Sequence, residues 1–169
     1  MAAKGRREYL QEFLRDWNGT PTLNLPPALL ERVKEFRRRV QALSQFFTSL
    51  SPICAGCFLA GTCCCRGLFY DEEELVMAKA LGQNWPERVQ PPLQPDDPYC
   101  PFLGPQGCAL GEDKPWLCVD YRCFRLYNAM GDGKAKALVQ EIDAISRLYR
   151  GLREEICVLM REENPAGGG

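Results

Sequence analysis

The sequence predicts a mainly α protein: a long antiparallel helical hairpin with a loop-rich cysteine module inserted at its closed end. Three observations carry this expectation. Two apolar seams, over residues 29–50 and 138–159, repeat at the same alternating spacings of 4 and 3. Nine of the ten cysteines lie between them, from Cys54 to Cys123. The stretch holding those cysteines is punctuated by Pro and Gly, which interrupt regular structure. The expected organisation is 1–53 as N-terminal helices, 54–125 as the cysteine module, 126–163 as a C-terminal helix packing on helix 27–50, and 164–169 as a disordered tail.

A chain of 169 residues fits one domain with appendages. Folding at this size removes roughly 70% of the unfolded surface from water, so a core can form without crosslinks. The net charge of −1 gives no global pull toward nucleic acid. No apolar run approaches the roughly 18–20 residues that cross a bilayer, so no membrane partner is expected. The N-terminus turns charged at once and lacks the apolar core of a signal peptide. The expected location is the cytoplasm, where thiols stay reduced and clustered cysteines point to metal binding or redox chemistry rather than to a disulfide scaffold.

The elements follow in order. Residues 3–17 read as an amphipathic helix with Tyr9, Leu10, Phe13, Leu14 and Trp17 on its apolar side, ended by Asn18-Gly19-Thr20-Pro21. A second helix covers about 27–50, with Pro26-Pro27 suited to its first turn. Its seam is Leu29, Val33, Phe36, Val40, Leu43, Phe47 and Leu50, and the other side, with Glu31, Arg32, Lys34, Arg37, Arg38 and Arg39, reads as a solvated face. The segment 71–82 has acids at its start and Gly82 at its end, as the helix dipole and C-cap favour. The acids Asp71–Glu74 are read as helix-terminal charge, not as a metal site. Residues 84–99 hold five prolines and are expected to lack regular structure. The second cysteine cluster is expected to be turns, with one helical turn around 115–121. The last helix covers about 133–163, with Leu138, Ile142, Ile145, Tyr149, Leu152, Ile156 and Leu159 as its seam. Each seam spans about 31 Å at the helical rise per residue.

The chemistry sits in the cysteines. The first cluster is Cys54-x2-Cys57-x5-Cys63-Cys64-Cys65, the second Cys100-x7-Cys108-x9-Cys118-x4-Cys123. Thiolate is a soft donor that selects zinc, copper(I) or iron–sulfur clusters. Two-residue spacing lets one turn aim two sulfurs at one ion. The chain has no histidine, so a site here is all-sulfur or completed by oxygen. Adjacent cysteines point in different directions in extended chain, so Cys63, Cys64 and Cys65 need not all bind one ion: one can pack as a small apolar residue and another can reach a second metal, and one is set aside as spare. Eight remain, enough for two four-sulfur sites or a multinuclear cluster. Arg66, Lys114, Arg122 and Arg125 flank the cysteines and favour thiolate over thiol. The competing readings are buried thiols packed as small apolar groups and a disulfide framework. Cys157, far along the last helix, reads as an ordinary thiol.

Cys54-x2-Cys57, Cys64-Cys65-Arg66-Gly67, Glu73-Glu74-Leu75, Cys100-Pro101-Phe102-Leu103, Gly107-Cys108 and Lys114-Pro115-Trp116-Leu117-Cys118 occur in that order. This order resembles the YkgJ-like family of zinc- or iron-chelating cysteine-cluster domains. The likeness covers under half the chain. It departs from the family in the five residues between Cys57 and the triplet and in Lys114, where the family has Arg. The resemblance implies chelation by Cys54, Cys57, Cys64, Cys65, Cys100, Cys108, Cys118 and Cys123. It leaves the metal open between an iron–sulfur cluster and Zn²⁺.

Three functions are consistent with these residues. The first is a metal-binding protein with a redox or metal-handling role. The second is a structural zinc module of a protein-interaction domain, with a protein partner the sequence does not name. The third is an iron–sulfur-dependent transferase related to lysine methylases, which share a similar cysteine arrangement but are longer. No Ser/His/Asp set, phosphate loop or paired carboxylates assigns an enzyme activity.

Overall fold

The computed structural model describes residues 5–49, 56–57, 59–60, 65–91, 97–121, 128 and 131–163. These residues are mainly helical. The α-helices are α1 (Arg6–Gly19), α2 (Pro27–Ser49), α3 (Glu72–Ala80), α4 (Trp116–Asp120) and α5 (Asp132–Glu163). One small antiparallel sheet pairs β1 (Leu103–Gly104) with β2 (Gly107–Cys108), in the register Leu103 to Cys108 and Gly104 to Gly107. No helix of the described residues is long and apolar enough to cross a membrane. Residues 164–169, expected as a tail, lie outside the described part.

Helix ends follow local chemistry. The Glu8 carboxylate accepts from the Gly5 N–H at 3.1 Å, which satisfies one donor at the start of α1. At its end the Thr20 N–H and hydroxyl both donate to the Asp16 carbonyl, at 2.9 and 2.7 Å, and Pro21 cannot continue the helix. Pro27 opens α2, where a missing N–H costs nothing. Asp71 caps α3 by accepting from the Glu74 N–H at 3.1 Å. Gly82, at φ +70°, closes it in a conformation that favours glycine.

Two apolar cores result. The larger joins α2 to α5 through Leu29, Val33, Phe36, Val40, Leu43, Leu138, Ile142, Ile145, Tyr149, Leu152 and Ile156, with Val76, Met77, Trp116 and Val119 added from α3 and α4. Phe36 stacks on Tyr149 at 5.3 Å. Arg32 pairs with Glu155 near one end of the contact, and Arg39 grips Glu141 through two bonds of 2.8 and 2.9 Å near the other. The second core holds Phe13 of α1, Leu75 and Ala78 of α3, Trp85, Tyr99, Phe102, Leu103 and Leu110. Helix α3 is buried over Glu74–Ala78 and contributes to both cores, Val76 and Met77 to one and Leu75 and Ala78 to the other. A helix apolar on all sides is a buried helix.

Three expectations are corrected. Trp85–Arg88 forms a 3₁₀ turn within the segment expected to be irregular. Pro86 presets φ for that turn, and burial of Trp85 (1% exposed) anchors it. The second cysteine cluster contains the β1–β2 pair as well as turns, closed through Pro105-Gln106 with Gly107 at φ +97°. The basic side of α2 is not uniformly solvated: Arg37 is buried, because it lies one turn beyond Val33 and beside Phe36 on the flank of the seam.

Candidate metal centre

Five of the eight candidate ligands lie among the described residues. Cys57, Cys65, Cys100 and Cys108 all belong to the second core, Cys57 and Cys100 buried and the other two half-buried. Cys118, half-buried, is carried by α4. Cys54, Cys64 and Cys123 lie outside the described residues, as do Cys63, Arg122 and Arg125. Cys157 sits half-buried on α5 and belongs to neither core.

Backbone contacts join the two clusters across long sequence gaps. The Cys100 N–H donates to the Cys65 carbonyl at 3.0 Å. The Cys118 sulfur accepts from the Phe69 N–H at 3.5 Å and donates to the Phe69 carbonyl at 3.4 Å. Residues 65–70, just after the first cluster, therefore run beside both Cys100 and Cys118. The β1–β2 pair sets Cys108 opposite Leu103, three residues after Cys100.

Burial dominates the electrostatics of these thiols. Burial pushes the Cys100 thiol up to about 12, and the neighbouring Cys108 adds to the rise. Burial also raises Cys118, with Cys100 and Cys108 contributing charge repulsion in the same direction. Cys108 is raised by burial as well, against the pull of Lys114 and Arg88. Arg6 acts on Cys100 as Lys114 does on Cys108, favouring thiolate. Arg66 instead lies over the Tyr99 ring at 5.9 Å.

The three sulfurs of Cys100, Cys108 and Cys118 thus feel one another. Even so, no three Cys, Asp or Glu residues among the described part lie close enough to hold one ion. The two findings differ in range: charge repulsion reaches well beyond the 2.3 Å of a zinc–sulfur bond. The donor set fits a soft metal, being all thiol, and a cation supplies the charge that lets buried thiols ionise.

One buried ion pair and one buried arginine–carboxyl contact hold the segments that carry these cysteines. Arg6 of α1 pairs with Asp97 at 2.9 Å, both under 5% exposed. Its guanidinium also donates to the Pro91 carbonyl at 3.2 Å and to the Leu103 carbonyl at 2.9 Å. Asp97 in turn accepts from the Tyr99 N–H at 2.9 Å, immediately before Cys100. The second is Arg37 with Glu74, 4.0 Å apart and both buried. Arg37 donates to the Lys114 carbonyl at 2.8 Å, and Glu74 accepts from the Trp116 N–H at the start of α4. Burial pushes the Glu74 carboxyl up to about 8, against the opposing pull of the Trp116 N–H and Arg37.

Arg6, Asp97, Arg37 and Glu74 were not among the expected site residues. The signal for Arg37 was its place beside the α2 seam. The signal for Glu74 was its position at the head of an unbroken apolar run, Leu75–Ala78. Nothing local marks Arg6 or Asp97. No family model matches the chain, and no curated protein or solved structure is significantly similar to it.

Proposed function

We propose that this chain is a cytoplasmic metal-binding protein that holds an iron–sulfur cluster or Zn²⁺ through Cys54, Cys57, Cys64, Cys65, Cys100, Cys108, Cys118 and Cys123. The observation that carries the reading is the meeting of the two cysteine clusters. Cys57 and Cys65 share one core with Cys100 and Cys108, and Cys65 is hydrogen-bonded to Cys100. Thiols gathered from distant chain segments into one core, buried or half-buried, are the arrangement soft metals use. The motif order shared with the YkgJ-like chelating domains supports the same assignment. In this reading α2 and α5 form an antiparallel hairpin with the cysteine module at one end. The Arg32–Glu155 and Arg39–Glu141 pairs support that course, since partners descend on α5 as α2 ascends.

A bound metal contributes Lewis acidity or electron storage, and the protein contributes the dry, shaped surroundings. The second reading, a structural zinc module within an interaction domain, is favoured by one observation. Phe69 and Tyr121 stack at 5.9 Å, stand about half exposed, and flank the backbone that holds Cys118.

Anaerobic purification with elemental analysis and a visible spectrum tests both. Brown protein with broad visible absorption and stoichiometric iron and sulfide is the outcome for a cluster. Colourless protein with stoichiometric zinc supports the structural module. Metal-free protein that stays fully folded after chelator and reductant overturns the proposal and returns the cysteines to core packing.

A further inference from the structure

The Arg37–Glu74 pair joins α2 to α3, and its side-chain hydrogen bonds go to a single place. Arg37 lies on α2 and Glu74 on α3, yet both bind the backbone that leads into α4. Arg37 holds the Lys114 carbonyl at 2.8 Å. Glu74 takes the Trp116 N–H, one of the donors at the head of the helix that has no partner within it. Two residues later comes Cys118, whose N–H donates to Pro115 at 3.1 Å. A chain gripped on both sides of Pro115 has little freedom left before Cys118. The other oxygen of Glu74 and two guanidinium nitrogens of Arg37 are buried without hydrogen-bond partners, one of those nitrogens lying 3.9 Å from the Asp113 carboxylate.

We propose that Glu74 is a positioning residue for Cys118, fixing the placement of its sulfur beside the Phe69 backbone. The consequence for metal binding rests on the function proposed above. The placement of the sulfur does not depend on that function and can be measured without metal. Glu74 acts here as an acceptor for the Trp116 N–H. A glutamine keeps that acceptor, a leucine removes it, and an aspartate withdraws it by one methylene.

The experiment is residue-resolved alkylation of the reduced, chelator-treated full chain, read by mass spectrometry, with Cys157 and Cys100 as internal references. The expected result is a rise of tenfold or more in Cys118 labelling relative to both references in Glu74→Leu, and labelling within twofold of wild type in Glu74→Gln. If Glu74→Leu does not fold, Glu74→Asp takes its place with the same expected direction. Equal acceleration of Cys118, Cys100 and Cys157 means a loosened protein and overturns the proposal, as does an unchanged Cys118 rate in the Leu or Asp variant. Metal analysis of the same wild-type preparation before chelation is a separate readout. Its failure counts against the metal-binding function, while the labelling ratio alone decides the placement of Cys118.

Discussion

Arg6 and Arg15 lie on the same helix and each has an acidic partner, but they face different solvents. Arg6 and Asp97 are almost fully buried, whereas the Arg15 side chain is 74% exposed beside Asp16. Removing one member of a buried pair leaves an uncompensated charge, which costs about 3–5 kcal/mol. An exposed pair is worth less than about 1 kcal/mol. Arg6→Met is therefore expected to destabilise the chain by about 3 kcal/mol or more in urea unfolding. Arg15→Met should be nearly neutral, and equal effects would contradict the burial argument. Glu74 gives the second prediction at this scale. Its carboxyl is raised from 4.5 to about 8, first by burial. A group raised on folding contributes fully below its unfolded value and loses that contribution as pH climbs through the folded one. Wild type should thus lose about 2–5 kcal/mol relative to Glu74→Gln between pH 5 and pH 9. Denaturation curves of the two proteins at those pH values check it, and a constant difference would refute it.

At the scale of elements, α2 and α5 are the parts most legible in the sequence. Their seams repeat over three heptads, and every seam residue of α5 from Leu138 to Ile156 is buried. Period alone locates such helices, because a long stripe has one way to leave water. Ile145→Ala, at a fully buried position, is expected to cost about 2–5 kcal/mol. Val158→Ala, half exposed, should stay within about 0.5 kcal/mol. Gly151 sits inside α5 with its nearest would-be Cβ neighbour the Arg32 guanidinium, at an ordinary 3.5 Å. Gly151→Ala should then stabilise by about 0.5–1 kcal/mol through lost unfolded-state freedom. A scanning-calorimetry Tm that does not rise would mean that the Arg32–Glu155 pair had been disturbed. The short elements were not legible. A two-residue strand pair and a four-residue 3₁₀ turn carry too little periodicity, and Trp85 is anchored by contacts from distant chain segments.

For the whole molecule, the two cores differ in what holds them. The α2–α5 core is apolar and carries its own helices. The second gathers short turns, four cysteines and α1, and leans on the Arg6–Asp97 clamp. If a metal closes the cysteine module, removing it should loosen this core first. Hydrogen exchange after anaerobic chelation is expected to show lost protection at Phe102 and Leu103, with Val40 and Ile145 still protected. Uniform loss across both cores would show that they unfold as one unit.

Residue order alone determined the long helices, their apolar faces, the Pro27 start of α2 and the presence of two dense thiol clusters. These depend on local spacing, and local spacing is written in the chain. Only the tertiary structure decided that Arg37 and Glu74 leave solvent, that α1 packs beside Cys57 and Cys100, and that Cys65 meets Cys100. Each of those depends on which distant segment covers a side chain. No periodicity records that, because burial of a charged group is set by partners far away in sequence.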